Sequence, residues 1–345
     1  MTEHIMKRLF ITTLLLLPLH INANDTTEKP DLSHEPIQPL QPTKNLNHDK
    51  IALGKKLFHE PRLSRDSKMS CATCHNLKFN GASHCARSTG RDNIELPVNT
   101  PTVFNSTFNH RQFWDGRASN LQEQVNFVVN GHREFATSWA QIVKKLKQDT
   151  SYINDFRKIY TNGISAGNIR DAIVTFERSL VTLNSRFDRY LLGDIKAITK
   201  KEKAGYKLFK SYGCVACHQG RNVGGNLFMK LGVFANYIAE RGNPTTADQG
   251  RFNVTGDKRD HNVFRVPSLR LAAYTAPYFH DGSVNTLQEA IKIMAKHQLG
   301  RNISDHDISL IAAFIKTLPG EYAGQPLGAL PDKVMNPEEA EQSKQ

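Results

Sequence analysis

The sequence predicts an all-α protein built as two similar helical halves. Three observations carry that expectation. Apolar residues recur at spacings of three and four in segment after segment, the period of a helix with one buried face. Alternating, strand-like runs are weak throughout. A segment containing Lys-Leu-Phe leads twice into the same five-residue motif, in LGKKLFHEPRLSRDSKMSCATCH and again in AGYKLFKSYGCVACH, so the halves read as a loose internal repeat. The 345 residues are enough for two compact domains, each with its own core.

Residues 1–23 read as a secretory signal. Lys7 and Arg8 precede an apolar run over 9–19, and a short polar stretch ends at the small residue Ala23. That run is too short to remain in a bilayer as a helix. No later stretch approaches the ~20 apolar residues of a span, so no permanent membrane span is expected. Residues 24–45, rich in Pro, Thr and acidic residues without an apolar period, read as a linker.

The first domain is set at 46–195. Its helices are expected over 49–58, over 119–129 with Ser119 at the cap position, and over 138–146, 168–180 and 184–191. The second domain is set at 196–320, with helices over 199–212, 286–298 and 305–318. The tail, 321–345, is Pro-rich and charged and is expected to be flexible. The net charge is +12, but no compact basic run stands out and no nucleic-acid motif accompanies it, so no nucleic-acid partner is expected. The excess reads as a solvated surface of the kind that steers an acidic redox partner.

Five cysteines remain to be explained. Cys71-Ala72-Thr73-Cys74-His75 and Cys214-Val215-Ala216-Cys217-His218 are both CxxCH motifs. In this motif two thiols add across the vinyl groups of one haem, and the adjacent His binds its iron. A redox CxxC needs a βαβ setting that this sequence lacks. A four-Cys zinc site would leave both His residues without a role. Two covalent c-type haems follow, and export agrees with them. Cys85 is left over, either as a partly buried free thiol or as a ligand or redox thiol near the first haem.

Longer blocks carry a resemblance. SCATCHNL, NTPTVFNSTFNHRQFWDGRASNLQEQ, FERSLVTLNSRFDRYLLGD, GCVACHQG, FRVPSLRLAAYTAPYFHDGSVNTLQEA and MAKHQLG follow one another in order. With them the mature chain resembles the bacterial di-haem cytochrome c peroxidases, a family that includes the MauG-type enzymes. The resemblance implies two cytochrome c-like domains, each with one haem, and reduction of hydrogen peroxide in the periplasm. A small soluble cytochrome c or cupredoxin would donate the electrons, and the chain would form a homodimer. It implies that His75 serves the peroxide-binding haem. His218 would serve the electron-entry haem, with Met294 as its second ligand, where MauG-type enzymes carry Tyr. A thioether raises a haem's potential relative to a second imidazole.

By the same resemblance, Trp114 is the relay between the haems, and Glu134 and Gln124 are the distal carboxylate and amide. A bound Ca²⁺ would take the Asn99 side chain and the Thr275 and Pro277 carbonyls. One departure stands out. Arg91, in STGRDN, falls where many members place a distal His, so the first haem is expected to be open in the oxidised protein. His84 in a shifted loop is the other reading. Arg91 itself would either polarise bound peroxide or pair with a propionate. Two other functions stay in view: oxidation of Trp or Tyr on a partner protein, as MauG-type enzymes do, and a non-enzymatic di-haem electron carrier.

Overall fold

The computed structural model describes residues 32–328. The signal reading over 1–23 and the tail beyond 328 lie outside the described residues. The helices of the first half are α1 (His48–Phe58), the single turn α2 (Cys71–Cys74), α3 (Leu121–Asn130), α4 (Trp139–Leu146), α5 (Thr150–Ile159), α6 (Ala166–Ser179) and α7 (Arg186–Leu191). The second half supplies α8 (Lys200–Ser211), α9 (Tyr237–Arg241), α10 (Phe252–Thr255), α11 (Leu287–Ile293) and α12 (Asp305–Ile315). Several short 3-10 turns and two short antiparallel ladders accompany these helices. One pairs β1 (Phe228–Lys230) with β2 (Val263–Arg265), setting Met229 opposite Phe264, and the other pairs β3 (Glu321–Tyr322) with β4 (Gln325–Pro326). No described helix is long and apolar enough to cross a membrane.

Side-chain caps start the longer helices. Ser138, Ser165, Ser185, Thr199, Thr286 and Ser304 each accept from the backbone N–H three residues on. The expected cap at Ser119 is displaced by one residue. Asn120 Oδ1 takes the Glu123 N–H at 2.9 Å, while the Ser119 hydroxyl and N–H instead donate to the Glu123 carboxylate. α5 was not expected, because only Tyr152 and Phe156 of its ten residues are fully buried and polar residues surround them.

The repeat in the sequence has a counterpart in packing. α1 crosses α6 so closely at Gly54 that a Cβ there would strike the Ala172 carbonyl. α8 crosses α12 in the same way, with Gly205 against the Leu310 carbonyl. Four residues on, Phe58 meets Phe176 edge-on at 5.3 Å, and Phe209 meets Phe314 at 5.1 Å. Each glycine is therefore fixed by contact distance rather than by backbone conformation. Two main cores result. One gathers Leu57, Val125, Ile142, Phe156 and Ile173; the other gathers Phe187, Tyr206, Phe209, Ile311 and Phe314.

Two segments depart from expectation. The described part of the 24–45 linker is a docked strap. Ile37 is fully buried within the second core, Glu35 accepts from Tyr206 and pairs with Lys210 at 2.9 Å, and the Gln38 carbonyl takes Arg270 at 2.9 Å. Its Pro and Thr content removes helix but not apolar anchors. The start of the tail is ordered as well. Residues 321–328 form the β3–β4 hairpin, Tyr322 packs on Phe104 at 5.1 Å, and the Gly328 carbonyl accepts from Asn80.

Candidate active site

The first CxxCH motif forms one wall of a cavity of about 700 Å³. That volume is within the range of cofactor pockets, ~300–1,000 Å³. α2 presents Cys71 and Cys74 to it, and His75 follows at the helix end with Nδ1 3.0 Å from the Gly81 carbonyl. Donation to that carbonyl fixes the tautomer and leaves Nε2 as the free acceptor for a metal. His218 has the same relation to Val223, at 3.3 Å. Burial lowers both imidazole pKa values, that of His218 to about 4, so both rings are neutral. Burial also raises the four motif thiols, Cys74 and Cys214 to about 11.

Three buried polar atoms have no protein partner at the cavity wall: Arg87 Nε, Ser106 Oγ and Glu177 Oε2. Orphaned donors and acceptors in one cavity call for a polar-edged ligand. A haem, apolar in body and carrying two carboxylates, fits both the volume and this lining.

α3 and the turn after it supply the opposite wall. Gln124 projects from α3, and Glu134 follows in a turn in which its N–H donates to the Gly131 carbonyl at 3.1 Å. A side chain at 131 would collide with the Glu134 carboxyl, so glycine makes room for it. Burial raises the pKa of Glu134, and Arg117 acts against that rise. Arg117 lies over the Phe113 ring at 3.5 Å and pairs with Asp115 at 2.9 Å. Trp114 reaches the same cavity, and its indole N–H donates to the Asn99 carbonyl at 2.9 Å.

Cys71, Cys74, His75, Asn99, Trp114, Gln124 and Glu134 therefore meet at one cavity. Arg91 is not brought to that wall. Its guanidinium pairs with Asp92 at 2.5 Å and donates to the His132 carbonyl. The cation near Glu134 is Arg117, which sequence register did not single out. His84 is turned toward the Phe79 carbonyl at 2.9 Å, and His75 is the only histidine among the lining residues. Cys85 is exposed, with its sulfur 2.9 Å from the Ser83 hydroxyl. Asn99 is buried, and its amide donates to the Cys85 and Ala86 carbonyls, which keeps Oδ1 out of those bonds. Thr275 precedes the cis Ala276–Pro277 peptide, which Pro277 itself closes.

Met294 opens a π-helical turn, Met294–Gln298, that continues α11. Such turns shift side-chain register and recur at functional positions. Ile291, three residues earlier, packs on the second core together with Cys214, so α11 and the second CxxCH motif share that core.

Known proteins resemble this chain over most of its length. Residues 48–196 match the family described as di-haem cytochrome c peroxidase. The chain is 44% identical to cytochrome c peroxidase Ccp of Escherichia coli K12 over 87% of its length, and the match spans 64% of that protein. It is 41% identical to cytochrome c551 peroxidase of Nitrosomonas europaea, over 92% of this chain and 94% of the relative. Among solved structures, a MauG-like protein associated with microbial copper homeostasis superposes with a TM-score of 0.71 at 26% identity, covering 82% of this chain and 93% of that one.

Proposed function

Because the chain belongs to the di-haem cytochrome c peroxidase family, we propose that it reduces hydrogen peroxide to water in the periplasm with electrons from a small soluble donor protein, a cytochrome c or a cupredoxin. The observation that carries this reading is the single cavity that joins a CxxCH motif to Glu134, Gln124 and Trp114.

Cys71, Cys74 and His75 would hold one haem. Cys214, Cys217, His218 and Met294 would hold the other, and each helical half would be a cytochrome c-like domain. The haems, when bound, supply the iron that takes up peroxide and the sites that store electrons. The chain's own residues do the rest. Glu134, kept protonatable by burial, carries a proton from the inner to the outer oxygen of peroxide. Gln124 orients the substrate by hydrogen bonding. Trp114 shortens the path for electrons between the halves. In sum, peroxide takes two electrons and two protons and leaves as two waters. Asn99, Thr275 and Pro277 would bind Ca²⁺ through oxygen, in keeping with the free Oδ1 of Asn99. A homodimer is part of the reading.

With His84 turned away, the first haem needs no opening step. The test mixes fully oxidised holo-protein with hydrogen peroxide and a reduced small cytochrome c. Two cytochromes oxidised per peroxide without a lag is the expected result. Glu134→Gln should lose most of that turnover with both haems intact. Unchanged turnover in the variant would end the proton role. Peroxide consumption without cytochrome oxidation would favour the MauG-type alternative, oxidation of a partner's Trp or Tyr, and no reaction in either redox state would favour a plain electron carrier.

A further inference from the structure

We propose that His297 and Gln298 are positioning residues for Met294. Together they lock the π-helical turn onto the loop over 231–236, and that lock holds the Met294 thioether in place as a ligand. The proposal rests on the reading of Met294 as the second ligand of the electron-entry haem.

A methionine needs such help. Its side chain has three rotatable bonds and ends in a soft, neutral sulfur, so nothing within it fixes the sulfur in one place. The backbone must do so, and here the backbone is a π turn, a rare geometry that recurs at functional positions. The Leu299 N–H closes the turn on the carbonyl of Met294 itself. The Arg301 N–H donates to the Ala295 carbonyl at 2.8 Å.

Four hydrogen bonds join this turn to the loop. The His297 carbonyl accepts from the Phe234 N–H at 2.9 Å and from the Ala235 N–H at 3.3 Å. The His297 ring is 2% exposed, and its Nδ1 donates to the Ala235 carbonyl at 3.2 Å. A carbonyl only accepts, so that nitrogen donates whatever the charge on the ring. The Gln298 side-chain carbonyl accepts the Gly232 N–H at 3.0 Å. Gly232 permits the bend, with φ +82° and no space for a Cβ against the Ala235 carbonyl.

The loop is anchored at both ends. It follows β1, where the Leu231 N–H donates to the Asn262 carbonyl at 2.8 Å, and it ends at Asn236, which caps α9. Tyr237, the first residue of α9, meets the His297 ring edge-on at 5.4 Å. Its own ring packs on Phe279 at 5.2 Å, and its hydroxyl lies 3.1 Å from that of Ser283. A fixed frame thus stands on one side and the turn that carries Met294 on the other. The side chains of His297 and Gln298 bridge them.

The test uses the full-length, oxidised holo-protein. It reads the weak far-red absorption band of a ferric haem with a methionine ligand, and the midpoint potential of each haem. The wild type should show the band, and Met294→Leu should lose it. His297→Phe keeps a ring against Tyr237 but removes the donor, and Gln298→Ala removes the acceptor. Each should lose most of the band and lower the potential of the second haem, while that of the first holds. His297→Asn returns a donor close to the place of Nδ1 and should keep both signals. Gln298 is only half-buried, so Gln298→Ala carries the test if His297→Phe does not fold. A wild-type band and potential in either folded variant would overturn the proposal, even with a lower melting temperature, because the lock would then be structural alone. Loss of both signals in His297→Asn would overturn it as well. A band missing from the wild type, or surviving Met294→Leu, would remove Met294 as a ligand and this inference with it, whereas peroxide turnover tests the wider reading separately.

Discussion

Glu134 and Glu177 are two carboxyls on the wall of one cavity, separated by the company burial gives them. Glu134 has Arg117 to oppose its desolvation, whereas Glu177 has none, and burial alone pushes its pKa up to about 8. A raised carboxyl binds its proton more tightly folded than unfolded. Its contribution to stability is therefore full below about pH 4.5 and is lost as pH rises through about 8. Glu177→Gln should leave holo-protein stability nearly unchanged at pH 5 and raise it at pH 9, by on the order of a few kcal/mol. Unfolding curves at the two pH values measure this, and the same difference at both would refute it. None of this was legible in the sequence. Linear spacing exposed Cys71, Cys74 and His75, because attachment chemistry demands adjacent residues. Arg117 and Glu177 act through desolvation and through approach across a cavity, which spacing does not encode. Arg91 drew attention by its register, yet its guanidinium faces Asp92.

Among the elements, the repeated Lys-Leu-Phe helices were readable and their purpose was not. Gly54 and Gly205 look like poor choices for helix interiors, at a cost of ~1 kcal/mol each against Ala. Both sit where α1 meets α6 and α8 meets α12 with no room for a methyl group. Gly54→Ala and Gly205→Ala should therefore destabilise the protein by ~1–3 kcal/mol or more, against the gain that helix propensity predicts. Chemical denaturation of each single variant checks the sign, and a stabilised variant would mean that the crossings are looser than described. The helix expected over 286–298 was found in outline, but its last turn widens into the π-helical stretch at Met294. Apolar periodicity cannot register that change, since it adds one residue to a turn without altering composition.

For the whole molecule, the strap over residues 35–43 is what the sequence concealed most. Its composition is that of a linker, and only Ile37 and Leu40 signal burial. Arg270 gathers it in. The guanidinium donates to Gln38, Arg221 and Asp188, and both Arg270 and Asp188 are almost fully buried. Removing one partner of such a pair leaves an uncompensated buried charge. Arg270→Ala should cost ~3–5 kcal/mol, and Ile37→Ala ~2–5 kcal/mol through the cavity it opens in the second core. Thermal melts of the two variants give both numbers. A loss under ~1 kcal/mol in each would show that the strap merely rests on the surface.

The strap also sets an order in time. Ile37 is synthesised before every other member of the core it completes, and that core closes only with residues beyond Phe314. The strap must wait for α12 and Leu318 to complete that core. Until the last helix has been made, the second half carries an open slot. A ribosome stalled before α12 would therefore hold a nascent chain whose strap has its polar partners, Tyr206, Lys210 and Arg270, but not its full apolar seat.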